Sequence, residues 1–98
     1  MEATARAWAC LDLGALAWNL GQLRCLLPSG CQVMAVVKAD AYGHGALPVA
    51  KALQENGVHA FCVACLDEAV ALRRGGIRGE ILILGYTHPA QFPQLLQY

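Results

Sequence analysis

The sequence has little charge. Charged residues make up only 14% of the 98 residues, well below the quarter that is usual for soluble domains, whereas 57% are hydrophobic. The formal net charge is zero and no run of like charges occurs. Nothing in this pattern favours binding to nucleic acid or to an anionic membrane surface. The composition is typical of the inside of a larger fold and not of a disordered chain.

Long apolar runs are also missing. No stretch approaches the roughly 18 uninterrupted apolar residues that a membrane span requires. The opening residues include Glu2 and Arg6 and contain no apolar segment of signal-peptide length. These two absences predict a cytoplasmic protein that does not associate with membranes.

The cysteines do not follow a disulfide or metal-binding pattern. There are five of them, among apolar neighbours, which predicts reduced, buried thiols: Cys10, Cys25, Cys31, Cys62 and Cys65. Cys62 and Cys65 form a C-x-x-C, but the stretch HAFCVACL is typical of a strand, where residues three apart point to opposite faces. Because no second pair is spaced to complete four zinc ligands, we predict no metal site.

Apolar periodicity alternates between helix and strand along the chain. Five leucines at spacings of three and four predict a helix over 12–27 with Asp12 as its N-cap: Leu13, Leu16, Leu20, Leu23 and Leu27. Continuous apolar runs over 33–37, 58–65 and 80–84 predict three strands covered on both faces. Further helices are predicted over 46–56, over 68–74 with Asp67 as N-cap, and from Pro89 through Leu96. Trp8 and Trp18 are predicted to be core or interface aromatics.

A helix followed by three strand–helix units predicts an α/β fold with parallel strands and right-handed crossovers. Three parallel strands cannot close a barrel, and as a sheet they leave two open edges. A (β/α)8 TIM barrel needs about 250 residues, and a doubly wound sheet usually has more strands than three. We therefore expect this chain to be the opening portion of a longer fold.

Lys38 is the residue whose position needs a functional explanation. It directly follows the apolar run 33–37 and precedes the loop Tyr42-Gly43-His44-Gly45. Sites in parallel α/β folds lie beyond the carboxyl ends of the strands, so Lys38 is expected at the mouth of such a site. A partly dehydrated lysine amine suits covalent attachment of an aldehyde, and the commonest aldehyde cofactor is pyridoxal 5′-phosphate (PLP). A lysine that merely reaches from a strand end to solvent explains the residues equally well.

The segment AVVKADAYGHG (35–45) resembles the PLP-attachment signature of alanine racemase, a fold-type III PLP enzyme. WACLDLGALAWNL (8–20), FCVACLDEAVALR (61–73) and EILILG (80–85) resemble further segments of the same family, in the same order. The resemblance implies that residues 1–98 are the N-terminal part of a (β/α)8 TIM barrel, with the C-terminal β domain absent. Cys10 and Gly14 depart from the family's pattern, at positions outside the expected site.

The resemblance also implies roles for individual residues. Lys38 matches the lysine that attaches PLP and serves as one of two catalytic bases, Tyr42 matches a tyrosine that contacts the cofactor phosphate, and Leu84 matches a residue lining the pyridine ring. The second base is a tyrosine of the partner subunit and has no match here. His44 is best explained by loop shaping, and Asp67 and Glu68 by capping of the helix that they begin.

The implied activity is PLP-dependent racemisation of L-alanine to D-alanine, supplying peptidoglycan, by a homodimer whose substrate is a small amino acid. The 98 residues alone are expected to be inactive, and serine or broader specificity stays open. The alternative is a non-catalytic PLP-binding or carrier protein of the single-barrel fold-type III group. A short, inactive gene product is a third interpretation.

Overall fold

A computed structural model describes Ala7 and residues 9–98 of the chain. The elements in chain order are α1 (Leu13–Cys25), β1 (Met34–Val36), the short helical turn α2 (Lys38–Tyr42), α3 (Ala46–Glu55), β2 (Ala60–Val63), α4 (Leu66–Arg74), β3 (Glu80–Ile83), a 3-10 helix (Pro89–Gln91) and α5 (Phe92–Gln97). This order confirms the predicted helix followed by three strand–helix units. Within the described part of the chain, none of these helices is long and apolar enough to cross a membrane.

The three strands form one parallel sheet in the order β1-β2-β3. Val36 pairs with Cys62, and Cys62 pairs in turn with Leu82. The α/β class and the parallel pairing are therefore confirmed. Because neighbouring strands run in the same direction, their carboxyl ends meet at one edge of the sheet.

The hydrophobic core lies between one face of the sheet and the helices. Phe61 and Val63 of the central strand are fully buried against Leu20 of α1, Leu53 of α3 and Leu72 of α4. Alternate residues of a strand share a face, so the outer-strand residues that pack against this core lie on the same side: Ala35, Ile81 and Ile83. The helices that build the core thus cover a single face of the sheet.

The opposite face of the sheet is open along its two outer strands. Met34, Val36 and Leu82 are 41%, 42% and 49% exposed, and Leu84, just past β3, is 53% exposed. The prediction that all strands are covered on both faces is therefore wrong for β1 and β3, and only β2 is buried throughout. We call Met34, Val36, Leu82 and Leu84 the open face.

Outside the sheet, several apolar side chains are also exposed. Of the α1 leucines only Leu20 is buried and Leu16 half-buried, because α1 packs on α3 along one narrow side. Trp18 is 65% exposed, so it is not a core residue, and Trp8 lies outside the described residues. The prediction of buried thiols is wrong for four of the five cysteines, since only Cys62 is buried.

The two predicted helix caps had different outcomes. Asp12 is the N-cap of α1, and its side chain accepts a hydrogen bond from the Ala15 N–H at 3.0 Å, as predicted. The N-cap of α4 is Cys65 and not Asp67, so α4 begins at Leu66. The earlier start places the Leu66 side chain in the interior, where it is 5% exposed.

Candidate functional site

Lys38 lies where β1 ends, at the carboxyl edge of the sheet. The strand pairing continues as far as this edge, because the Val37 N–H donates to the Cys62 carbonyl at 2.9 Å and the Leu84 N–H to the Val63 carbonyl at 2.8 Å. Extending the register past the last pairs, by two residues for β1 and β2 and by one for β2 and β3, places Ala64 between Lys38 and Leu84. Lys38 is half-buried, and Ala64 and Leu84 are exposed. The structure therefore brings Lys38 and Leu84 to the same edge, with a small residue between them.

The backbone after Lys38 is left-handed. Ala39, Asp40, Ala41 and Tyr42 have φ values of 51°, 56°, 54° and 56°, so α2 is a turn of left-handed helix built without glycine. Left-handed geometry costs an L-residue roughly 1–2 kcal/mol. Four such residues in succession were not foreseen from the sequence. The surrounding structure must offset this cost, and strained backbone of this kind concentrates at functional sites.

Hydrogen bonds inside the segment 37–46 hold the left-handed turn. The Ala41 N–H donates to the Val37 carbonyl at 3.0 Å, and the Gly45 N–H donates to the Asp40 carbonyl at 2.8 Å. The Asp40 side chain accepts from the Ala46 N–H at 2.8 Å, which joins the turn to the start of α3. His44 Nδ1 lies 2.9 Å from the Ala41 carbonyl oxygen, in agreement with its predicted role in shaping the loop.

Among the described residues, Glu68 is the side chain of a distant element that hydrogen-bonds to this turn. Its Oε2 accepts a hydrogen bond from the Ala39 N–H at 2.8 Å, and its Oε1 accepts one from the Ala64 N–H at 2.6 Å. The sequence interpretation as a helix-capping residue missed the bond to Ala39. The bond to Ala64 could be expected from the sequence. Glu68 is the third residue of α4, where a capping-box glutamate reaches back to the backbone at the start of the helix.

The space between the turn and the helices is a cavity of about 260 Å³. Asp40 and Glu68 are its charged lining residues, and the others are apolar. Both carboxylates already accept backbone hydrogen bonds from Ala46, Ala39 and Ala64. The charged residues of the cavity are therefore used to hold the turn.

The Lys38 amine and the Tyr42 phenol are among the groups available for chemistry at this edge. Tyr42 is the last residue of the left-handed turn and is 61% exposed. Among the residues described, no three His, Cys, Asp or Glu side chains are grouped so as to hold a metal ion. An amine on a fixed turn can attach an aldehyde, and a nearby hydroxyl can donate to an anionic group of the same ligand.

The chain resembles known proteins over almost its entire length. Residues 11–98 match the family model described as alanine racemase, N-terminal domain. The chain is 47% identical over 91 residues to the alanine racemase of Clostridium tetani and 43% identical over 93 residues to an amino-acid racemase of Enterococcus faecalis. The solved structure of alanine racemase from Clostridium difficile 630 superposes with a TM-score of 0.92 at 40% identity.

These relatives are much longer than the chain. The matches cover 93%, 95% and 98% of this chain, but only 23%, 13% and 26% of the Clostridium tetani, Enterococcus faecalis and Clostridium difficile proteins. The chain thus spans about a quarter or less of the length of the relatives that it matches.

Proposed function

The chain belongs to the alanine racemase N-terminal domain family, and from this premise we propose that it is the first part of the PLP-binding TIM barrel of an amino-acid racemase. The domain proposed over residues 1–98 is a partial barrel, and the remaining βα units together with a C-terminal β domain would complete the enzyme. L-Alanine is the proposed substrate, since the curated relatives are named as alanine racemases or, in one case, as an amino-acid racemase.

The observation that supports this proposal best is the placement of Lys38. It stands at the carboxyl edge of a parallel sheet, which is where ligands bind in barrels and in doubly wound sheets. The turn that follows it is left-handed over four non-glycine residues and is fixed by backbone and side-chain hydrogen bonds. A lysine whose only role was to reach solvent would not need such a turn.

The residues at this edge fit PLP. The cofactor presents an aldehyde, an anionic phosphate and a flat apolar ring, and it is recognised by an amine, hydrogen-bond donors and apolar contacts. In our proposal Lys38 holds the aldehyde, the Tyr42 hydroxyl donates to the phosphate, and Leu84 contacts the ring. The exposure of Tyr42 and Leu84, at 61% and 53%, leaves both side chains free to make these contacts.

When bound, PLP supplies an electron sink that makes the Cα proton of an amino acid acidic enough to remove. Racemisation then requires one base on each side of the reacting carbon. Lys38 Nζ is the proposed base on one side: it would remove the Cα proton of one enantiomer and, in the reverse direction, deliver a proton to that same face. No residue of this chain is proposed as the base on the other side, which in our proposal belongs to a partner subunit. The proposed full-length enzyme is a cytoplasmic homodimer that supplies D-alanine for peptidoglycan.

Trapping the lysine tests this proposal. Borohydride treatment of the full-length protein with PLP should leave pyridoxyl on Lys38, as read by peptide mass spectrometry. Lys51, the other lysine of this chain and exposed on α3, is the internal control. Label on Lys51 alone, or on neither lysine, would contradict the assignment. Lys38→Arg should abolish racemisation, because a guanidinium keeps the charge but has no usable amine.

An activity assay on the same full-length protein distinguishes a racemase from a non-catalytic PLP carrier. A non-catalytic carrier would take the label on Lys38 but would produce no D-alanine from L-alanine. Production of D-alanine that disappears in Lys38→Arg supports the racemase.

A further inference from the structure

We propose that Glu68 is the positioning residue for Lys38: its carboxylate fixes the left-handed turn that carries the lysine and joins that turn to the end of the neighbouring strand. This inference rests on the proposed function of Lys38. It assigns to Glu68 a role that acts through another residue, because its two oxygens bond to backbone N–H groups near the lysine.

The geometry makes Glu68 a bridge between two strand ends. Ala39 is the residue directly after Lys38, and its N–H donates to Glu68 Oε2 at 2.8 Å. Ala64 directly follows β2, and its N–H donates to Glu68 Oε1 at 2.6 Å. Ala64 is also the residue aligned with Lys38 in the continued register. One side chain therefore links the residue after Lys38 to the residue after β2, just beyond the backbone bond between Val37 and Cys62.

The bond to Ala39 lies at the start of the left-handed segment. Ala39 is the first of the four residues with positive φ, and its N–H points to Glu68, 29 residues away in the sequence. The bonds of Ala41, Gly45 and Ala46 act within the segment and its junction with α3. Among the hydrogen bonds of the described residues, the one from the Ala39 N–H to Glu68 ties the first residue of the turn to α4.

Both carboxylate oxygens are needed for this role. A carboxylate accepts at each oxygen, whereas a glutamine amide has one oxygen and one NH2 donor. In Glu68→Gln we expect the remaining oxygen to keep the shorter bond, from the Ala64 N–H at 2.6 Å, so that the NH2 group faces the Ala39 N–H and its hydrogen bond is lost. Asp67→Asn is the matched control, because it removes the same charge from the same turn of α4 and the exposed Asp67 side chain makes no described hydrogen bond to the Lys38 turn.

The competing explanation is that Glu68 only caps α4. Capping involves the Ala64 N–H and the first turn of the helix, whereas positioning involves the Ala39 N–H. Amide hydrogen exchange read at single-residue resolution by mass spectrometry separates the two. In the 98-residue chain, Glu68→Gln should make Ala39 exchange at least about tenfold faster, as expected for loss of a hydrogen bond to a charged group. Asp67→Asn should leave Ala39 unchanged.

Three outcomes of the exchange experiment would overturn the proposal. The first is that Ala39 exchange is unchanged in Glu68→Gln, and the second is that faster exchange is confined to Ala64 and the start of α4. The third is that the Ala39 N–H of the unsubstituted chain exchanges as fast as that of an unstructured peptide. This measurement does not depend on whether the variant folds.

Labelling of the full-length protein tests whether the turn held by Glu68 positions Lys38. Glu68→Gln should lower the fraction of pyridoxyl found on Lys38 relative to Lys51, and Asp67→Asn should not. An unchanged ratio would show that Glu68 does not position Lys38, although Lys38 holds the cofactor. Absence of label from Lys38 in the unsubstituted protein would contradict the proposed function instead, so the two failures are distinguishable.

Discussion

Arg24, in the last turn of α1, donates a hydrogen bond from its Nη1 to the carbonyl oxygen of Asn56, the C-cap residue that follows α3. A guanidinium at this position donates to a carbonyl at the carboxyl end of α3, and its positive charge interacts favourably with the helix dipole. Arg24→Ala should lower the free energy of unfolding by about 0.5–1.5 kcal/mol. The midpoint of urea unfolding measures the change.

The control for this prediction is Arg78→Ala. Arg78 has an exposed side chain with no described hydrogen bond, and only its backbone N–H is bonded, to the Gln54 side chain. Its removal should shift the midpoint by less than that of Arg24. Equal shifts in the two variants would mean that the bond to Asn56 contributes nothing measurable.

Two glycine substitutions should have opposite effects on stability. A Cβ atom on Gly85 would lie 2.4 Å from the carbonyl oxygen of Ala64, so Gly85→Ala must separate the ends of β2 and β3. We expect a loss of about 1–3 kcal/mol. A Cβ atom on Gly21, inside α1, meets nothing within 4 Å, and Gly21→Ala should stabilise by about 0.5–1 kcal/mol. Thermal unfolding of both variants measures the two changes in stability. If both variants were stabilised, or both destabilised, the prediction would be wrong.

The isolated chain should self-associate through its open face. An apolar sheet surface and two unpaired parallel edges favour contacts between copies. The double variant Val36→Lys/Leu82→Lys should sediment as a smaller species. Gln22→Lys/Gln97→Lys adds the same charge at exposed helix positions and should leave association unchanged. A monomeric, concentration-independent profile for the unsubstituted chain would contradict this expectation.

The 98 residues alone should not racemise alanine. Lys38 is the only base that we assign to this chain, and one well-placed acid or base typically contributes about 10² to 10⁴ in rate. Incubation with PLP and L-alanine should yield no more D-alanine than the Lys38→Ala chain does. Clear turnover above that control would show that a second base is present within these residues.

The sequence predicts the order of elements because local signals determine it. Two such local signals are the apolar run that contains β2 and the N-cap Asp12. Both depend on neighbours in the chain, and both elements are found as predicted. Burial depends on which layers cover an element, so Leu23 and Val36 look like core residues in the sequence and are exposed in the structure.

The left-handed turn could not be predicted for a different reason. Ala39, Ala41 and Tyr42 have no local preference for positive φ, and an aspartate such as Asp40 adopts it only as a single residue. Their conformation depends on contacts that include a carboxylate 29 residues from Ala39. The position of Lys38 at a strand end followed from the periodicity, but the means of holding it there did not.

Continued past the ends of the strands, the register places Ala64 between Lys38 and Leu84 at the carboxyl edge of the sheet. Adjacent strands lie about 4.8 Å apart, so the two outer strands are separated by roughly 10 Å at this edge. The side chain at position 64 is a single methyl group, and we expect a larger side chain there to narrow the space between the outer positions while leaving Lys38 and Leu84 themselves unchanged.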